Sequence, residues 1–153
     1  MLLLMALLTA SVPLPDEAEI FQSAGFHKVG ATWRSDCQDA APSYEAGAIA
    51  IYRDINQDGR PDAVITENST ACYGDPGTRF WLVSRQSDGS WRVMISEVGI
   101  PEFYKNKGRG GWPNLSIGGP GLCFPVYRWN GRAYELYTFE YRGTRCKPPE
   151  GAR

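Results

Sequence analysis

Ala48-Ile49-Ala50-Ile51-Tyr52, Asp54-Ile55-Asn56-Gln57-Asp58-Gly59-Arg60-Pro61-Asp62 and Ala63-Val64-Ile65-Thr66 follow one another with only Arg53 between the first two. The outer segments are short, apolar, partly β-branched and bounded by turn residues, the signature of strands. The middle segment carries a side-chain oxygen at every second position, with glycine after the third and a further Asp at its end. Asp, Asn and Gly favour turns because their side chains bond the local backbone and because glycine takes positive φ without a Cβ clash. A strand, a tight polar loop and a second strand therefore set the expected fold as β.

The loop also has the chemistry of a cation site. Ca²⁺ takes about six to eight oxygens from a chain that curls around it. Asp54, Asn56, Asp58 and Asp62 would offer side-chain oxygens and Arg60 its backbone carbonyl. Carboxylates converging without a cation would repel one another. An EF-hand is excluded, because its twelfth position needs a bidentate Glu and is Ile65 here. Asp62 at the ninth position gives the shorter Asp-x-Asn-x-Asp-Gly-x-x-Asp form.

Elsewhere the chain repeats this unit weakly. Asp58-Gly-Arg-Pro-Asp-Ala-Val-Ile-Thr66 aligns with Gly110-Gly-Trp-Pro-Asn-Leu-Ser-Ile-Gly118, and Phe80-Trp-Leu-Val83 with Phe124-Pro-Val-Tyr127. Each half ends in a hairpin signal, Asp88-Gly89 and Asn130-Gly131. The second copy has lost the acidic ligands, so one metal site is expected. Asp16 to Gly25 reads as a short helix, with acidic residues in its first turn, Gly25 beyond its end, and Ala18, Phe21 and Ala24 or Ile20 facing the body. The expected architecture is mainly β. Two blade-like antiparallel sheets, as a half-propeller or a sandwich, carry a short N-terminal helix. Residues 12–153 form one domain with degenerate repeats at about 48–96 and 110–140.

The loop and its flanking strands resemble the calcium loops of FG-GAP and VCBS repeats. That resemblance covers 48 to about 96 well and 110–140 loosely, and it implies a structural Ca²⁺. The segment Gly118-Gly-Pro-Gly-Leu-Cys-Phe-Pro-Val126 is similar to one in small secreted bacterial proteins of unknown role. A more distant similarity is to periplasmic inhibitors of invertebrate-type lysozymes, with no inhibitory motif carried over.

Residues 1–11 read as a secretory signal: the apolar run Met1 to Ala10 is too short to span a bilayer and is followed by small residues. Four cysteines, Cys37, Cys72, Cys123 and Cys146, contain no Cys-x-x-Cys pair. In a secreted chain they read as two disulfides, with three connectivities open. The net charge of −1 gives no general pull toward nucleic acid or a membrane surface, so neither is an expected partner.

Catalytic patterns are sparse. His27 is the only histidine and reads as a surface residue, which leaves triads and zinc chemistry without support. Gly118-Gly-Pro-Gly121 lacks the Gly-Lys-Ser/Thr ending of a phosphate loop. Most of the 19 aromatics are expected in the core. Phe103-Tyr-Lys-Asn-Lys-Gly-Arg-Gly-Gly-Trp112 is expected to be an irregular surface connection, with Tyr104 and Trp112 as candidate anchors for a partner. The leading expectation is a secreted or periplasmic binding module, not an enzyme, with a protein or glycan partner. An inhibitor of a hydrolase such as a lysozyme is the alternative. A carboxylate-dependent hydrolase is the rival, favoured by a cleft that presents two free carboxylates.

Overall fold

The computed structural model describes residues 14–151, so the expected signal segment lies outside the described residues. Two antiparallel sheets dominate the regular structure among them. Strands β1 (His27–Val29), β2 (Thr32–Arg34), β3 (Glu45–Arg53), β4 (Asp62–Asn68), β5 (Thr78–Arg85) and β6 (Trp91–Val98) form a six-stranded sheet in chain order. Strands β7 (Ile100–Phe103), β8 (Leu115–Gly118), β9 (Phe124–Trp129), β10 (Tyr134–Tyr141) and β11 (Thr144–Arg145) form a second sheet, also in chain order. The mainly β expectation with two antiparallel sheets and a short helix matches this architecture. Within it, β3–β6 and β7–β10 are each a four-stranded meander. The first connection of each, 54–61 and 104–114, is the one singled out in the sequence.

The first sheet is buried on both faces, which is why its central strands read as unbroken apolar runs. Val64, Phe80 and Leu82 point to one side and join Trp112, Leu115, Ile117, Trp129 and Tyr134 of the second half in one core. Ala63, Ile65, Trp81 and Val83 point to the other side and pack on Ile20, Phe21, Phe26 and Trp33. Each large apolar side chain so enclosed contributes about 1.5–3 kcal/mol.

Helix α1 (Glu17–Ser23) has Glu17 and Glu19 in its first turn, where the helix dipole favours acids. Its N-cap residue Asp16 does not cap through its side chain; the carboxylate reaches Arg85 instead, at 2.8 Å. Ile20 and Phe21 face the core, whereas Ala18 is exposed. The expected helical face is thus turned, because the two largest apolar residues of the helix are adjacent and both enter the second cluster. His27 is exposed in β1. A second helix, α2 (Thr70–Tyr73), which the sequence did not signal, lies between β4 and β5. Ser69 starts it by accepting the Cys72 amide with its hydroxyl, at 3.0 Å, a capping role open to any serine.

The four cysteines form two disulfides, Cys37–Cys72 and Cys123–Cys146, as expected in number. Each closes locally, within one half of the chain. Among the described residues no helix is long and apolar enough to cross a membrane.

Glu67 near the end of β4 is 0% exposed. Its carboxylate accepts from the Ser35 amide and hydroxyl and from the phenols of Tyr44 and Tyr73. These donors come from the 35–44 connection and from α2, so one carboxylate fastens both to the sheet. Burial first, then the Glu67 hydrogen bond, pushes both phenols up to about 12.

Candidate functional site

The Asp54–Asp62 loop leaves β3 and re-enters at the head of β4. Asp58 and Gly59 donate their amides to Asp54 Oδ1 and Oδ2, at 3.1 and 2.8 Å. The Asp58 amide is also offered to Asn56 Oδ1, and the Arg60 amide bonds Asp58 Oδ1 at 2.8 Å. Gly59, at φ +84°, makes the left-handed turn that the sequence required of it. Asp54, Asn56 and Asp58 therefore share a loop whose amides point inward.

Asp62 lies beneath them. It pairs with Arg53 of β3 and Ser84 of β5, so strands flank it on both sides, and it is 0% exposed. Its Oδ2 accepts the Ile55 amide at 2.7 Å; its Oδ1 is buried and accepts no hydrogen bond of good geometry, although the Ser84 side chain and the Asn56 amide stand near the carboxylate. Burial drives its carboxyl pKa upward, opposed by donors from Ser84, Ile55 and Asn56 and reinforced by the charge of Asp58. The phenol of Tyr134 is raised by its own burial and then by the charge of Asp62. Few buried oxygens go without a donor, since desolvation then goes uncompensated. A cation is one group that satisfies such an atom, and the carboxylate, amide and carbonyl oxygens the loop carries are of the type a hard cation takes.

The loop is not a closed cage. Among the described residues no three His, Cys, Asp or Glu side chains are gathered closely enough to hold a metal by themselves. Arg60 turns its guanidinium onto Asp58 Oδ2 at 2.7 Å, where the Asn56 amide group also donates at 3.2 Å. Ion binding at this loop requires Arg60 to release Asp58. It also requires the remaining oxygens to use lone pairs that the loop amides leave free.

What the sequence did not foretell is the neighbour. The 104–114 connection packs against the acidic loop, with Gly111 at φ +79° seated on the Asn56 carbonyl. A Cβ at Gly111 would lie 2.0 Å from that oxygen, so only glycine permits the contact. Gly111→Ala should therefore displace both loops and cost more than about 2 kcal/mol. Gly89→Ala is the matched control: φ there is +86° with nothing within 4 Å of the added Cβ, so it carries the conformational cost alone. Denaturant melts of the two variants measure the difference, and equal losses would show that the loops do not press on one another.

Of the stretch expected to be an irregular surface connection, Phe103 instead ends β7, while residues 104–112 are irregular apart from a short 3-10 segment at Arg109–Gly111 broken at Gly110. Its aromatic anchors are not presented, however. Trp112 is 4% exposed and packs near Trp129 and Tyr134, with ring centroids 5.9 and 6.0 Å away. Tyr104 is half-buried and donates its hydroxyl to Glu140 at 2.7 Å. Glu102 and Glu140 line a hollow of about 410 Å³ with Tyr104, Phe124, Tyr141 and Arg142. Nothing in the spacing of Glu102 and Glu140 signalled that the second sheet would bring them to one place.

Comparison of the chain with family models, curated proteins and solved structures gives no match. The likeness to FG-GAP and VCBS repeats accordingly rests on the loop residues and the strands beside them.

Proposed function

We propose that the chain is a secreted or periplasmic binding module, an FG-GAP- or VCBS-like β protein whose Asp54–Asp62 loop holds one structural Ca²⁺. The observation that carries the ion is the fully buried Asp62 carboxylate with its partnerless Oδ1. Side chains of Asp54, Asn56, Asp58 and Asp62 and the carbonyl of Arg60 would hold it. Bound there, Ca²⁺ supplies a cross-link between the loop and the head of β4. The two disulfides support an oxidising compartment. Net charge near zero and the absence of a nucleotide or phosphate loop favour a protein or glycan partner over nucleic acid or membrane.

Melting with and without Ca²⁺ tests the ion. Extracellular modules bind at about 10⁻⁴–10⁻³ M. At free Ca²⁺ tenfold above the dissociation constant, linkage adds about 1.4 kcal/mol, a rise of roughly 3–6 °C for a chain of this size. Asp58→Ala should abolish the rise, and Glu102→Ala, an exposed change outside the loop, should leave it. Mg²⁺ should substitute poorly because it demands tighter octahedral geometry. A rise that survives Asp58→Ala would place the ion elsewhere.

One observation favours the hydrolase reading, the shared hollow of Glu102 and Glu140. Turnover of an oligosaccharide that is lost in Glu140→Gln would establish it in place of the binding module.

A further inference from the structure

The inner face of the second sheet is not wholly covered. Tyr127 stands opposite both Leu115, a core residue, and Leu136, so Leu136 shares the face that elsewhere packs against the first sheet. Yet Leu136 is 52% exposed. The first sheet stops short of it, and β6 is that sheet's edge, bonded to β5 alone. Between the end of β6 and the uncovered face lies a cavity of about 480 Å³, floored by Ile117, Pro125, Tyr127, Leu136 and Phe139. Pro76, Pro120 and Pro148 add walls without amide donors. This volume and lining are those of a ligand site.

Its charged side chains are of one sign. Asp75 and Glu97 stand at the groove with Val98. Neither carboxylate is in a salt bridge among the described residues, whose two pairs are Arg60–Asp58 and Arg85–Asp16. An apolar trough with two uncompensated carboxylates and a free strand edge alongside calls for an apolar occupant that carries cations and has backbone to pair.

We propose that this groove binds an extended segment of a partner protein in which apolar and basic residues alternate. Its apolar side chain enters over Leu136 and Phe139, its Lys or Arg meets Glu97 and Asp75, and its backbone adds to the edge of β6. Strand addition draws affinity from main-chain hydrogen bonds and specificity from alternate side chains, and complementary charge steers the encounter. The proposal rests on the binding-module reading and names the face that reading would use.

The test titrates the isotope-labelled, disulfide-bonded protein with a pool of end-blocked octapeptides alternating Lys or Arg with Leu, Ile or Val. A second pool has Asp or Glu in place of the cations. The expected result is amide-shift changes centred on Glu97, Val98, Tyr127 and Leu136, with the basic pool bound at least tenfold more tightly. Glu97→Lys should weaken it at least fivefold. Leu136→Asp, at an exposed position, should remove it with the melting temperature unchanged within a few degrees. Peptides N-methylated at alternate amides should bind at least fivefold more weakly. Equal binding of the two pools, or shifts centred elsewhere, overturns the proposal. So do groove shifts that follow protein concentration alone, which mean a second copy, or that follow the presence of residues 1–13, which mean the chain's own leader. A native partner retained undiminished by Leu136→Asp would remove this groove and leave the binding-module reading standing, whereas oligosaccharide turnover without a partner would remove that reading itself.

Discussion

Glu67→Ala should lower stability by about 3–5 kcal/mol, the size expected when several buried donors lose their shared acceptor at once. Glu67 has no countercharge of its own; it is held by the Ser35 amide and hydroxyl and by two phenols. Removal strands these donors around a void, and each one left in the interior costs about 1–3 kcal/mol, less where water reaches it. The melting temperature should fall by roughly 6–20 °C. Glu67→Gln keeps the volume and one acceptor and should lose clearly less. The phenols give a second readout: held at about 12 by burial and by Glu67, Tyr44 and Tyr73 should titrate lower in Glu67→Gln. A loss below about 1 kcal/mol in Glu67→Ala would mean that the 35–44 connection and α2 are held by the Cys37–Cys72 disulfide and not by this carboxylate.

Trp112→Ala should be as damaging, at about 3–5 kcal/mol. The indole packs against both Trp129 and Tyr134, which also pack on each other, in the cluster that joins the two sheets. It also follows Gly111, so its loss loosens the contact with the Asn56 carbonyl. Tyr104→Ala, by contrast, removes a half-buried ring and one hydrogen bond to Glu140 and should cost about 1 kcal/mol. Equilibrium unfolding in denaturant separates the two. If Trp112→Ala proves nearly neutral for stability and impairs partner binding, the residue is an anchor and the packing described above is wrong.

The strands around the loop were legible because their chemistry is local. Ala48 to Tyr52 and Ala63 to Thr66 are β-branched or apolar runs on either side of turn formers, and they fold as β3 and β4. Pairing of consecutive strands likewise followed from hairpin signals such as Asp88-Gly89. Long-range placement was not legible. Asp62 and Glu67 are two acidic residues on one strand, both fully buried, and nothing beside either in sequence marks that fate. It is set by β3 and β5 closing on Asp62, and by hydroxyls arriving from residues 35, 44 and 73. Trp112 looked like a surface anchor because glycines and cations surround it in sequence. The indole nevertheless turns inward, since the second sheet brings Trp129 and Tyr134 beneath it. Helix α2 escaped notice because four residues are too few to show a period.

The central claim is that the Asp54–Asp62 loop binds Ca²⁺, and calorimetric titration of fully demetallated protein tests it most directly. The expected result is one site per chain with a dissociation constant of about 10⁻⁴–10⁻³ M, lost in Asp62→Ala, which removes the buried carboxylate whose Oδ1 lacks a partner. Absence of any binding heat, with melting unchanged up to about ten millimolar Ca²⁺, well above that range, would contradict the claim and make the loop a turn held by its own amides.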